Sequence, residues 1–285
     1  MDFITETVLP KLREIATGDK PPVVPVVPLK GVIGNMGPMR KGLTLEGTAE
    51  ILERAFKVKR ADAVALVINS PGGSPVQSAL IAKRIRSLAA EHDKKVIAFC
   101  EDVAASGGYW LAASADEIIV DDNSIVGSIG VISSSLGFVE AIKKIGVERR
   151  LHTAGESKSF MDPFLPEKKA DVARLKEIQG DMHESFKDYV RERRADKLAD
   201  DPKLFTGAFW TGKRAVDLGL ADDTGEIRET LRLRYGERVR MPVFKQRQGW
   251  LSRRFGAKSE ADVGIWADSL ICAVEERLIW DRYRL

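Results

Sequence analysis

Apolar residues recur along this 285-residue chain in two rhythms, one of helices and one of buried strands. Phe3, Ile4, Val8, Leu9, Leu12 and Ile15 stand at helical spacing among charges, which predicts an amphipathic helix at the start. After Gly18 the run PPVVPVVPLKGVIG is extended, because Pro25 and Pro28 bar a helix and leave an edge or first strand. Leu45, Ile51, Leu52, Ala55 and Phe56 predict a helix over 44–58, and residues 63–69 (AVALVIN) are a continuous apolar run suited to a parallel strand covered on both faces. A turn at Ser70, Pro71, Gly72 and Gly73 precedes a helix over 75–90 with Val76, Ala79, Leu80, Ala82 and Ile85 as its buried stripe. The apolar run 96–100 predicts a strand leading into DVAASGGYW at 102–110. Further strands are predicted at 117–120, 130–133 and 148–153, with a helix over 138–145. Such alternation specifies an α/β domain with a mainly parallel sheet.

Beyond Pro166 the pattern changes to a long charged helix ending near Leu198. Its apolar face is Val172, Leu175, Ile178, Met182, Phe186, Tyr189 and Val190, which predicts packing along a domain or a neighbouring subunit. Residues 205–225 contain a short helix stopped at Gly219. The stretch 238–259 has no acidic residue before Glu260 and mixes Arg240, Lys245, Arg247, Arg253, Arg254 and Lys258 with Trp250, Leu251 and Phe255. It reads either as a membrane-surface patch or as a solvated linker to a last amphipathic helix. The expected organisation is an N-terminal helix (1–21), a main domain (22–236), and a basic linker with a C-terminal amphipathic helix (237–285).

Composition narrows the function classes. A net charge of +3 (45 basic minus 42 acidic residues) and the lack of interleaved basic and aromatic motifs argue against nucleic acid as a partner. Cys100 in an apolar strand and Cys272 in a distant helical pattern read as two buried thiols, not as a disulfide or metal site. No stretch is long enough to cross a bilayer, so the expected location is the cytoplasm, with peripheral contact to the inner membrane face through the amphipathic start and basic tail.

Two glycine turns, Gly72/Gly73 and Gly107/Gly108, each follow a strand of one parallel sheet, so both are expected at the strands' carboxyl ends. Ser106 opens a helix beside the second turn, where a nucleophile has unpaired N–H groups nearby, although an ordinary helix cap also explains Ser106 and a plain type II turn explains Ser70 to Gly73. Converging N–H donors from both turns form an oxyanion hole. A serine nucleophile needs a base. His92, His152 and His183 each read more naturally as surface or structural residues. A lysine kept neutral by burial is the alternative, and Lys158, in TAGESKSFMDPF, is the leading candidate. Ser157 and Ser159 can bond its amine, and Phe160, Met161 and Phe164 can exclude water; spacing alone does not carry the assignment.

These motifs together resemble the signal peptide peptidase A (protease IV) family of serine proteases, relatives of the Clp protease subunit and of crotonases. NSPGG at 69–73, AASGGYW at 104–110, GSIGVI at 127–132, the GESK loop ending at Lys158 and WTGKRAVDLGLADDTG at 210–225 occur in the family's order, across 23–225. The resemblance implies a Clp/crotonase-like spiral of parallel βαβ units, with a long helix and a C-terminal helical extension. It implies a Ser-Lys dyad of Ser106 and Lys158, oxyanion donors at Gly73 and Gly107, substrate contacts at Gly72 and Ser70, and no metal or cofactor. The expected activity is a serine endopeptidase acting on unfolded or membrane-derived peptides such as signal-peptide remnants. The sequence departs from the family in lacking its usual N-terminal membrane anchor and in carrying one module where some members fuse two. Since the family joins serine and lysine across adjacent modules, the resemblance implies a homo-oligomeric ring with active sites between subunits. A crotonase-like acyl-CoA enzyme and a catalytically silent oligomeric scaffold are the competing readings.

Overall fold

The computed structural model describes residues 20–36, 42–155, 157–245 and 277–283. Its centre is a seven-stranded sheet. Strands β1 (Val26–Lys30), β2 (Ala63–Ser70), β3 (Lys95–Ala105) and β4 (Glu117–Val120) lie side by side and parallel, with β7 (Asp223–Thr224) beyond β4. The second half of β3 leaves β4 and pairs instead with β5 (Ile125–Gly127), which in turn pairs antiparallel with β6 (Phe209–Thr211). One long strand thus serves two sets of neighbours and turns the sheet into the Clp/crotonase-like spiral.

Helices α1 (Leu45–Phe56), α2 (Pro75–His92) and α3 (Gly107–Ala112) follow β1, β2 and β3. Thr44 caps α1 by accepting the Gly47 N–H at 3.1 Å, and Ser74 caps α2, where Pro75 fits the first turn because its missing N–H has no helical partner anyway. After β5 come α4 (Val139–Lys144), the long α5 (Lys169–Arg194), α6 (Gly212–Asp217) and α7 (Ile227–Tyr235).

The apolar run of β2 is buried on both sides, as its lack of alternation requires. Val64, Leu66 and Ile68 enter the larger core with Ile81, Ile85 and Leu111, whereas Ala63, Ala65 and Val67 pack with Ile97, Phe99 and Leu231 on the other face. Cys100 is buried in the larger core, and burial pushes its thiol up to about 12, so it is an inert packing residue.

Several expectations are corrected. Residues 130–133 and 148–153 form no strand: no segment among the described residues pairs with them, and a strand without a ladder partner leaves its N–H and C=O groups to water. The inward stripe of α2 is Ser78, Ile81, Ala82, Ile85, Leu88 and Ala89; Val76 and Leu80 face outward, because the helix rolls its Ala/Ile side onto the sheet. Of the expected face of α5, only Phe186 and Val190 are buried, where Trp110 stacks on Phe186 at 4.5 Å between ring centroids. The predicted N-terminal helix and the basic stretch from 246 onward, with Cys272, lie outside the described residues.

Candidate active site

The β2 and β3 exits meet where the two glycine turns were expected. A register irregularity between Ile68 and Ser70 sets Ser70 opposite Ala104, bringing the two turns together. A Cβ on Gly72, at φ +101°, would stand 2.8 Å from both the Gly107 nitrogen and the Ser106 Cβ, so only glycine allows the turns to touch.

Ser106 has φ 52° and ψ −122°, a strained conformation for a residue with a side chain, and its hydroxyl does not cap α3. The cap reading is therefore not what the fold shows. The backbone around it is held firmly: the Ser106 N–H donates to Gly127 O at 2.8 Å, and its carbonyl accepts from the Trp110 N–H at 3.0 Å. Strain held by a fixed scaffold and aimed at a cavity is the pattern of a nucleophile elbow, which lifts Oγ clear of its own backbone.

The Gly73 turn is tied to the β1 exit loop, with Ile33 N–H donating to Gly72 O (2.8 Å) and Ser74 N–H to Ile33 O (2.7 Å). The N–H groups of Gly73 and Gly107 are engaged by no backbone carbonyl among the described residues. Ser106, Gly73 and Gly107 all line one cavity of about 370 Å³, with Pro71, Trp110, Val131, Ile132 and Phe186 as its apolar walls. Leu278, Ile279 and Arg282 also line it.

Ser70 does not reach this cavity. It is fully buried and its hydroxyl accepts from the Gly72 N–H at 3.2 Å, which shapes the turn. Lys158 is not among the cavity's lining residues either. It is exposed, in a segment (131–168) in which no described residue is buried, and Phe160, Met161 and Phe164 do not enclose it within the chain. His152 is exposed in the same segment, and His183 Nε2 lies 3.0 Å from Ile129 O.

Sequence reasoning did not identify Gly127 as the acceptor that pins Ser106, nor residues 278–282 as a wall. Gly127 was visible as the first residue of GSIGVI; the wall carries no motif. No group of three or more His, Cys, Asp or Glu side chains that could hold a metal occurs among the described residues.

Residues 89–235 match peptidase family S49. The chain belongs to this family. Similar S49 relatives include a putative protease of Methanocaldococcus jannaschii, 33% identical over 181 residues covering 64% of this chain and 57% of that protein. Protease 4 of Haemophilus influenzae is 35% identical over 188 residues, covering 64% of this chain and 29% of that protein. A Brucella abortus protein named Na(+)/H(+) antiporter NhaA is 52% identical over 271 residues, 92% of this chain but 37% of that protein. The chain thus spans between about a third and just over half of these relatives' lengths. Among the described residues no helix is long and apolar enough to cross a membrane. The S49 match covers β3 through α7, including Ser106, Gly107 and Lys158, and leaves the Gly73 turn just upstream.

Proposed function

We propose that this S49 chain is a serine endopeptidase in which Ser106 is the nucleophile and Lys158 of a neighbouring copy is the general base. The observation that carries the first half is Ser106 itself, strained at φ 52° on the wall of a cavity also lined by Gly73 and Gly107, whose N–H groups meet no backbone carbonyl among the described residues. In the mechanism, a neutral Lys158 amine takes the proton from Ser106 Oγ as Oγ bonds to the peptide carbonyl carbon. The carbonyl oxygen becomes an oxyanion that accepts from the Gly73 and Gly107 N–H groups; loss of one such donor costs roughly 3 kcal/mol of transition-state stabilisation. As the tetrahedral intermediate collapses, the C–N bond breaks and the Lys158 ammonium protonates the leaving amine. Water, deprotonated by Lys158, then bonds to the acyl carbon; as the C–Oγ bond breaks, the Lys158 ammonium returns the proton to Ser106 Oγ and the carboxylic acid leaves.

The second half is supported by the segment 131–168. Ile132, Leu136, Ile145 and Val147 are all more than half exposed there, Leu136 and Ile145 by 71% and 73%. Apolar surface of that extent on an arm that buries nothing of its own calls for a partner, and a second copy of the chain answers it while delivering Lys158 to a cavity whose lining, among the described residues, includes no His, Lys, Asp or Glu. We infer a homo-oligomeric ring with sites between subunits. The apolar walls suit small or hydrophobic side chains of an extended peptide, and signal-peptide remnants are the substrate class that fits the family.

A fluorophosphonate probe followed by peptide mapping tests the nucleophile. Adduct on Ser106, absent in Ser106→Ala together with peptide hydrolysis, is the expected result. Hydrolysis at the wild-type rate by Ser106→Ala would end the proposal, and acyl-CoA turnover without serine labelling would favour the crotonase-like reading.

A further inference from the structure

Strand β3 changes neighbours half-way along, pairing with β4 as far as Cys100 and with β5 from Val103 onward. On its other side the register with β2 sets Ile68 opposite Cys100 and resumes with Ser70 opposite Ala104, which leaves Asn69 alone across from Glu101, Asp102 and Val103. A bulge of this kind breaks the ladder, and its orphaned backbone groups need partners from elsewhere. Two short side chains supply them. Ser124, in the turn before β5, donates to Glu101 O at 2.6 Å. Asn69 Oδ1 accepts the N–H of fully buried Val103 at 3.3 Å, and its Nδ2 donates to Asp102 Oδ2 at 2.6 Å.

We propose that Asn69 is a positioning residue for Ser106, its carboxamide clipping the bulge and so fixing where the last stretch of β3 begins. The inference rests on the reading of Ser106 as the nucleophile. Val103, Ala104 and Ala105 pair with Ile125, Val126 and Gly127, and the Ser106 N–H continues that ladder to Gly127 O. Three residues, about 10 Å of strand, separate the clipped N–H from Ser106. The residue after Asn69 abuts the helix that Ser106 opens, since a Cβ on Gly108 would stand 2.3 Å from Ser70 O. A shift of the bulge thus reaches Ser106 from both strands. Only a carboxamide offers an acceptor to the Val103 N–H and a donor to the Asp102 carboxylate at once. In Asn69→Asp a second carboxylate would face Asp102 where the donor was, and the repulsion would open the bulge. The double variant Asn69→Asp/Asp102→Asn exchanges the two roles at unchanged net charge, with the carboxylate at 69 accepting from the Val103 N–H and from the amide at 102.

The test follows fluorophosphonate labelling of Ser106 in the wild-type chain, in Asn69→Asp and in the double variant, at 25 °C on protein that circular dichroism shows to be folded. Hydrogen exchange of the amides at 103–106 is read in parallel. Asn69→Asp should label on the order of 10²-fold more slowly, the loss that a misplacement of about 1 Å produces, and its Val103 amide should exchange faster. The double variant should return to within about threefold of the wild-type rate and recover the slow exchange, because the two positions act as a coupled pair. Labelling of Asn69→Asp at the wild-type rate, or a double variant that labels no faster than Asn69→Asp alone, would overturn the positioning role. A wild-type chain whose Ser106 takes no label would remove the peptidase reading instead. Faster exchange in Asn69→Asp that the double variant reverses would then still uphold the clip, and unchanged exchange would overturn it.

Discussion

Gly72→Ala tests whether close contact of the two turns is what holds Ser106 in place. Gly72 sits at φ +101°, where a Cβ costs about 1–3 kcal/mol of backbone strain. The added methyl would also stand 2.8 Å from the Gly107 nitrogen and 2.8 Å from the Ser106 Cβ, with the Ala105 carbonyl oxygen at 3.0 Å. None of these is the free end of a flexible side chain, so the turns must separate by several tenths of an ångström. The expected loss of stability is therefore about 2–4 kcal/mol, which in a domain of this size lowers Tm by roughly 5–10 °C. In the proposed mechanism Gly107 offers an oxyanion donor and Ser106 the nucleophile, so a displacement of this kind should cost on the order of 10²-fold in probe labelling, although that mechanism gives Gly72 no part in the chemistry. Thermal unfolding and fluorophosphonate labelling rates, measured on folded protein at 25 °C, provide both readouts. Labelling at the wild-type rate with unchanged Tm would refute the argument that turn contact positions the nucleophile.

Ser106→Gly should be inactive yet more stable than Ser106→Ala by roughly 1 kcal/mol, since only glycine relieves the positive φ; equal urea midpoints for the two variants would contradict the strain at this position. Arg194, 2% exposed, donates to Gly219 O and to both oxygens of Asp222, so Arg194→Ala should cost about 3–5 kcal/mol in urea unfolding by breaking this buried pair and leaving Asp222 with only Lys197 and the Ile118 N–H, and a loss below 1 kcal/mol would contradict it. Burial alone would raise the Asp222 carboxyl, but Arg194, Lys197 and the Ile118 N–H outweigh it and hold it down to about 2. With the folded value below the unfolded value of about 3.9, this stabilisation of roughly 1–2 kcal/mol is complete above pH 5 and lost as pH falls towards 2. Asp222→Asn should flatten that part of the Tm-against-pH curve, and an unaltered slope would refute it.

The parallel core was legible because burial on both faces leaves a signature in composition. The runs at 63–69 and 96–100 read as strands without any partner being known, and β2 and β3 formed there. The glycine turns were legible because close backbone approach admits no other residue. Residues 130–133 and 148–153 were misread for the converse reason: their apolar positions fit a strand, but a strand exists only with a ladder partner, which the single chain does not supply. The short β5 and β6 strands escaped notice because three-residue strands carry almost no periodicity. Ser70 was read as a substrate contact from its place in NSPGG, yet a short hydroxyl next to a turn is more readily consumed by the turn itself, here by the Gly72 N–H. The packing of Tyr283 against Val103 and Ala105 joins residues 180 and 178 positions apart, which local pattern does not encode.

The central claim is that Ser106 of one copy works with Lys158 of another. Ser106→Ala and Lys158→Ala chains, each inactive alone, are mixed in equal amounts under conditions where subunit exchange is verified by mass spectrometry of differently labelled chains. Peptide hydrolysis is then measured per site. Random assembly of a ring with shared sites makes about one boundary in four carry both an intact serine and an intact lysine, so about a quarter of wild-type activity should return. Verified exchange with no recovery of activity would contradict the account.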